Sequence, residues 1–314
     1  MIPALVLTAG LATRLQPLSL VRAKAALPVA GEPLIQHILR WLGRGGIADA
    51  VLNLHHLPHT ITGLVGDGIE GVRVRYSWEV PLLGSAGGPR RALPILGSAT
   101  FLIANGDTLT NVDLGALVAA HRGSGALVTM AVVPNVQTTK YGGLAIDSEG
   151  RVVGLVARGS TQPSAHFIGV QVVERAAFSG LPENVALESV SAVYRAFMTE
   201  QPGSVRVFQT AATFVDIGSP GDYLTTCLEM ANGDRRRVRT GLRVHIEPGT
   251  SLEDTVVWDD VEIGEGARLR RCVVTDGVTI PPGSSWEGST IRVADDRLTA
   301  TERRVGNLAV GAIR

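Results

Sequence analysis

Two cations follow the first apolar run of the chain at positions that suit phosphate chemistry. Residues 5–29 read LVLTAGLATRLQPLSLVRAKAALPV. A strand-length run ending near Leu7 gives way to small residues, Ala9, Gly10 and Ala12, and then to Arg14 and Lys24. Small side chains let the backbone approach a ligand and turn its N–H groups toward phosphate oxygens. A guanidinium forks onto a phosphate, and an ammonium is a compact, mobile point charge. Of the 29 basic residues only Lys24 and Lys140 are lysines, so Lys24 stands out in an arginine-rich background. The spacing matches neither G-x-G-x-x-G nor G-x-x-x-x-G-K-[ST]. Read alone, the segment also fits a plain strand–loop–helix turn carrying surface cations.

Two carboxylates occupy equivalent places further on. FLIANGDTLTNVDL (101–114) and TFVDIGSPGDYL (213–224) each end a strand-like run on an aspartate, Asp107 and Asp216. Carboxylates at strand ends can share an oxygen-seeking ion such as Mg²⁺, although Asp there also caps helices and turns. SWEVPLLGSAGGPRRAL (77–93) leads through Ser85, Ala86 and Gly87 into a helix expected to open at Pro89. By itself it reads as an ordinary glycine-rich helix start.

The elements that must hold these residues alternate in type. Strands are expected at 3–8, 50–54, 72–77, 101–105 and 125–133, with helical patterns after Pro33, across 59–65, after Pro89 and across 112–122. Such alternation indicates a parallel sheet covered by helices on both faces, with the ligand site beyond the C-terminal strand ends. Between 141 and 173 short strands with turns suggest a mixed or antiparallel insertion. A helix at 186–200, strands VRVF and TFVDI and a helix at 221–231 complete a domain of residues 1–232.

A polar linker is expected at 233–241, and beyond it IEPGTS, IGEGAR and IPPGSS begin at 246, 263 and 280, a period of 17. A short fixed period of apolar and glycine positions is what stacked coils of a parallel β-helix require, here over 242–292. The tail, 293–314, has no assignable pattern. The fold class expected is α/β, a Rossmann-like mixed sheet sandwiched by helices, followed by a short C-terminal left-handed parallel β-helix.

With 29 acidic and 29 basic residues the formal net charge is +0, which argues against nucleic acid or an anionic membrane as partner. Two cysteines without metal-ligand spacing fit a reducing compartment. The N-terminus reads as a first strand and no window approaches a membrane span, so a soluble cytoplasmic protein is expected.

TAGLATRLQPLSLVRAKAALPVAGEPL resembles the N-terminal motif of the sugar-1-phosphate nucleotidyltransferases, matching at Gly10, Thr13, Arg14, Leu15, Pro17, Leu18, Lys24, Pro28, Val29 and Pro33. It departs where Ala9 and Ala12 replace glycines and Ala23 replaces a proline. The resemblance covers nearly all of 1–232. It implies nucleotide binding by Leu7, Ala9, Gly10, Leu11, Ala12, Thr13 and Arg14, and by Glu79, Gly84, Ser85, Ala86 and Gly87. It implies metal ligation by Asp107 and Asp216, with Phe214 where the family has Trp. On the sugar-phosphate side it points to Lys24, Asn105, Tyr141, Gly142, Arg158 and Gly169. That side is non-standard, since the usual V-E-K-P reads LVARGS, with Ala157 and Arg158.

The reaction implied is transfer of a nucleoside monophosphate from a nucleoside triphosphate to a sugar 1-phosphate, with Mg²⁺ as cofactor and pyrophosphate released. Arg14 would take the departing β- and γ-phosphates, and Lys24 the α-phosphate and the sugar phosphate. Mannose 1-phosphate with GTP is the substrate pair expected. N-acetylmuramate 1-phosphate with UTP and glucose 1-phosphate with dTTP or UTP are the alternatives. A non-catalytic nucleotide-sugar sensor and a hexapeptide-repeat acyltransferase are the readings from other classes. The β-helix suggests a homo-oligomer.

Overall fold

A computed structural model describes residues 2–230 and 239–313. The chain divides into two compact units, Met1–Gly10 with Ile35–Val215, and Leu11–Leu34 with Asp216–Arg314.

The first unit is built on a ten-stranded mixed sheet. Its centre runs Thr100–Asn105, Ala4–Leu7, Asp49–Leu54, Val72–Trp78, all parallel. Successive residues such as Leu5 and Val6, Val51 and Leu52, or Leu102 and Ile103 are all buried. Strands buried on alternate sides in this way have both faces covered, as a parallel sheet requires. On one face Leu5, Val51, Ile103, Met130 and Val173 join Ala86, Leu93, Phe178 and Tyr194 in a single apolar cluster.

The insertion expected at 141–173 is antiparallel. Gly143–Ile146 pairs with Val152–Val156, and Ala165–Glu174 runs against both Thr100–Asn105 and Val128–Pro134. The pairing of that last strand shifts between Phe167 and Gln171. Gly169 lies in this bulge at φ +79°, and a Cβ there would stand 2.8 Å from Asn105 Nδ2. Only glycine suits a positive φ beside so close a neighbour.

Two sequence expectations are corrected. The helix expected to open at Pro89 starts at Gly84 and runs to Leu96, with Pro89 and Pro94 inside it. The helix expected over 186–200 begins only at Ser189, as a π-turn to Tyr194 that continues into Arg195–Glu200. One cause explains both. Residues 185–188 lie extended against the start of the Gly84 helix, where Ala86 N–H donates to Leu187 O and Leu187 N–H donates to Leu83 O.

In the second unit the period of 17 is the register itself. Ser251 pairs with Arg268 and Arg268 with Ser285; Ile246 with Ile263 and Ile263 with Ile280. Three parallel sheets result. Stacked Val257, Val274 and Ile291, with Ile263, Ile280, Leu269 and Cys272, fill the interior. The expected linker falls outside the described residues except at 239–241, where Arg239–Thr240 already pairs with Val256–Val257. The unassigned tail forms a hairpin, Glu302–Val305 with Leu308–Ala312, whose second strand runs antiparallel to Ser289–Val293. Buried Arg292 anchors it through Glu302 and Asp295. Among the described residues no helix is long and apolar enough to cross a membrane.

Candidate active site

The residues that the sequence singles out divide between the two units, and each unit holds its share in a built arrangement. In the second unit the opening loop is a run of three 3-10 turns, Thr13–Leu15, Leu18–Leu20 and Lys24–Ala26. Ala12 sits in the left-handed region at φ 48°, its carbonyl accepting from Leu15 N–H and from Ser19 Oγ. Among the described residues the N–H groups of Leu11, Ala12 and Thr13 carry no hydrogen bond, the condition for an anion-binding turn.

Arg14 and Lys24, ten positions apart in sequence, both come to the Asp216–Gly218 turn, Arg14 beside Gly218 and Lys24 beside Asp216. A Cβ at Gly218 would stand 3.2 Å from Asp222 Oδ2 and 3.7 Å from both Arg14 Nη1 and Asp216 Oδ2. Lys24 Nζ lies 3.8 Å from Asp216 Oδ1. The structure thus brings together Arg14, Lys24 and Asp216, and adds Asp222. Ser219 caps the Pro220–Glu229 helix, accepting from Asp222 N–H, while its hydroxyl donates to Asp222 Oδ2. The S-x-x-D pattern of a capping box was the signal for Asp222 in the sequence.

In the first unit Asp107 follows Gly106, whose N–H donates to Leu7 O at 2.9 Å. A Cβ at Gly106 would lie 2.6 Å from that oxygen. The contact fixes half-buried Asp107 beside the end of the opening strand. Thr108 Oγ1 donates to Asp107 Oδ1.

Glu79, which the resemblance implies on the nucleotide side, is a buried carboxylate. It is 1% exposed, and both carboxylate oxygens are engaged internally. Asn53 Nδ2 donates to Oε1 at 2.7 Å, and Leu83 N–H donates to Oε2 at 2.8 Å. Asn53 Oδ1 in turn accepts from Thr8 N–H at 2.6 Å and Ala9 N–H at 3.3 Å. One buried chain of hydrogen bonds therefore ties the end of the opening strand to the start of the Gly84–Leu96 helix. Asn53, a polar residue closing an otherwise apolar strand, is a positioning residue that the sequence reading missed.

On the side of its missing side chains the glycine-rich start packs against the protein itself. A Cβ at Gly84 would meet Leu187 O at 2.7 Å, and one at Gly87 would meet Val185 O at 2.4 Å. Ser85 Oγ donates to Glu188 Oε2 and accepts from Ser189 N–H. Ala86 and Gly87 are buried. With the Glu79 carboxylate already at this helix N-terminus, the positive end of the helix dipole is answered from within.

On the sugar side Tyr141, His166 and Phe214 form a half-exposed stack, with ring centroids 4.1 Å apart for Tyr141–His166 and 5.0 Å for His166–Phe214. Lys140 Nζ stands over the Tyr141 ring. A Cβ at Gly142 would lie 3.1 Å from Val156 O and 3.7 Å from Arg158 N, which puts exposed Arg158 on the adjoining turn. Asn105 adjoins Gly169 in the bulge. His166 had no signal in the sequence, because only the antiparallel pairing brings it to Tyr141.

Comparison with known proteins gives the family and the fold. Residues 3–232 match the family described as nucleotidyl transferase, and 234–302 match the GlmU-like C-terminal hexapeptide family, a left-handed β-helix. A mannose-1-phosphate guanylyltransferase of Mycobacterium tuberculosis is 30% identical over 294 residues, 90% of this chain and 82% of that one. An N-acetylmuramate alpha-1-phosphate uridylyltransferase of Neisseria meningitidis is 42% identical over 115 residues, 36% of this chain and 50% of that one. A solved structure of a putative glucose-1-phosphate thymidylyltransferase from Bacillus anthracis shares the fold at TM-score 0.65 and 17% identity, covering 74% of this chain and 97% of that one. The chain therefore belongs to the nucleotidyl transferase family and is one of its sugar-1-phosphate nucleotidyltransferases.

Proposed function

We propose that this enzyme transfers a nucleoside monophosphate to mannose 1-phosphate, using GTP, and releases pyrophosphate. The observation that carries the reaction is the gathering of Arg14 and Lys24 at the Asp216–Gly218 turn. The nucleotide and sugar are supported by the 30% identity, over most of both chains, to a mannose-1-phosphate guanylyltransferase.

In this reading a phosphate oxygen of the sugar 1-phosphate attacks the α-phosphorus in line, and pyrophosphate leaves. The protein contributes position and charge. Arg14, exposed on the first 3-10 turn, holds the departing β- and γ-phosphates, with the open N–H groups of 11–13 beside it. Lys24 takes the α-phosphate and the sugar phosphate together and offsets their repulsion. Asp107 and Asp216 are the residues that would hold Mg²⁺. The donors fit this ion: both are carboxylates, and Mg²⁺ uses one or two of these besides phosphate oxygens and water. No group of three or more His, Cys, Asp or Glu suited to a metal occurs among the described residues. Bound there, Mg²⁺ would neutralise charge on the phosphoryl oxygens. Tyr141, His166 and Phe214 offer the sugar an aromatic face.

A second pair, N-acetylmuramate 1-phosphate and UTP, is favoured by the 42% identity over 115 residues to the uridylyltransferase. Pyrophosphate release measured with GTP, UTP, dTTP and ATP against a panel of sugar 1-phosphates in Mg²⁺ decides between them. The highest kcat/KM with GTP and mannose 1-phosphate supports the first pair. Preference for UTP moves the assignment to the second, and silence with every pair favours a sensor. Homo-oligomer formation through the β-helix belongs to the same reading, and light scattering at a multiple of the chain mass would bear it out.

A further inference from the structure

We propose that the β-helix is part of the catalytic machinery of this enzyme, in that Arg22 clamps the turn bearing Lys24 onto two successive coils. Arg22 lies two residues before Lys24, and its side chain is 13% exposed. Its Nε and Nη2 donate to Asp276 Oδ2 and Oδ1, each at 2.7 Å, and Nη2 also donates to Asp259 Oδ2 at 2.7 Å. Asp259 and Asp276 are 17 residues apart, the same position on consecutive coils, and Asp259 N–H donates to Asp276 Oδ1. The guanidinium also lies 5.3 Å from the centroid of the Trp258 ring. A planar fork can bridge two carboxylates and stack on an aromatic face; an ammonium cannot do all three.

A second tie runs through Trp258, which is fully buried. Trp258 Nε1–H donates to Tyr223 Oη at 2.9 Å, and Tyr223 O–H donates to Pro28 O at 2.6 Å. Pro28 closes the Lys24 turn on its other side, and Tyr223 lies on the helix that follows Asp216. The coil therefore grips the chain on both sides of Lys24 and touches the helix beyond its carboxylate partner. Burial by itself would lower the Arg22 guanidinium, but the hydrogen bonds and charges of Asp276 and Asp259 outweigh it and leave it above its ordinary value. Arg22 thus stays charged at any working pH. Arg22, Asp259 and Asp276 are positioning residues, acting through Lys24. The inference rests on the phosphate role of Lys24 given above.

The two-lysine composition supplies a readout independent of turnover. Full-length Arg22→Met, Arg22→Lys and Asp276→Asn are treated with an amine-acylating reagent, and the peptides holding Lys24 and Lys140 are quantified against wild type. In parallel, kcat and KM for both substrates are measured. The expected result is Lys24 acylation raised several-fold relative to Lys140 in Arg22→Met. With it kcat should fall about 10²-fold, the cost of a misplaced catalytic group, while the KM values change far less. Arg22→Lys should recover part of the loss. Asp276→Asn, which keeps the Asp259 contact, serves should Arg22→Met fail to fold. An unchanged Lys24-to-Lys140 ratio in the folded variants overturns the clamp. Raised acylation with wild-type turnover upholds the clamp and instead contradicts the phosphate role of Lys24.

Discussion

Residues 9–14 and 84–88 are both small-residue turns after a strand, and in letters both could cradle a ligand. They are built in opposite ways. The first leaves the N–H groups of Leu11, Ala12 and Thr13 without hydrogen bonds among the described residues and presents Arg14 outward. The second is braced from within: a Cβ at Gly87 or Gly84 would meet the Val185 or Leu187 carbonyl, and Glu79 accepts from Leu83 N–H just before the helix. Small residues thus serve two ends in one molecule: one turn leaves backbone donors open, and the other packs closely against its own chain. The first turn has the open donors that the proposed phosphate role requires, and the second is a packed frame.

The largest effects that could break this comparison lie in the braced turn. Asn53→Asp sets a second carboxylate against Glu79 in a buried site and should cost about 3 kcal/mol or more of stability, read from denaturant melts. Glu79→Gln should also destabilise, because the amide cannot accept from both Asn53 Nδ2 and Leu83 N–H. The double variant Asn53→Asp/Glu79→Gln reverses the polarity of the chain and should recover most of the loss, since every donor again faces an acceptor. Failure of that recovery would mean that the hydrogen bonds do not join the two turns as described. Gly87→Ala should cost roughly 2 kcal/mol, because the added methyl meets a backbone oxygen at 2.4 Å.

In the open turn the expected effects on stability are smaller. Ala12→Gly removes the strain of a left-handed alanine and should stabilise by up to roughly 1 kcal/mol. A loss of stability there would mean that Ala12 contributes packing that the open turn does not require. The smallest effect is one of pH. Arg292 holds the Asp295 carboxyl below its ordinary value through a hydrogen bond and its charge. A carboxylate depressed in the folded state stabilises fully above its unfolded pKa and loses that contribution as pH falls through the folded one. The C-terminal hairpin should therefore loosen only in acid, and Asp295→Asn should flatten that acid dependence.

Much of this was legible in the letters, because it depends on local pattern. The apolar runs gave the central strands, the period of 17 gave the coil register, and Arg14, Lys24 and Asp216 stood out by type and place. What was hidden depends on partners far away in sequence. Gly84 and Gly87 stood out as a glycine-rich helix start, but their packing against Leu187 and Val185 leaves no mark in the local pattern. Arg22 read as one more arginine, since its partners are 237 and 254 residues distant. His166 and Asn53 gain meaning only from strand pairings that bring them to Tyr141 and Glu79. The Pro89 start failed because a rule for first helical positions is blind to the pairing of Leu83 and Ala86 with the distant Leu187.

Pyrophosphate release by Lys24→Ala, measured on folded protein with saturating nucleotide, Mg²⁺ and sugar 1-phosphate, tests the central assignment most directly. Removing a pre-organised cation from the reacting phosphates should lower kcat by about 10²–10³-fold. Turnover close to wild type would contradict the placing of the chemistry at Lys24.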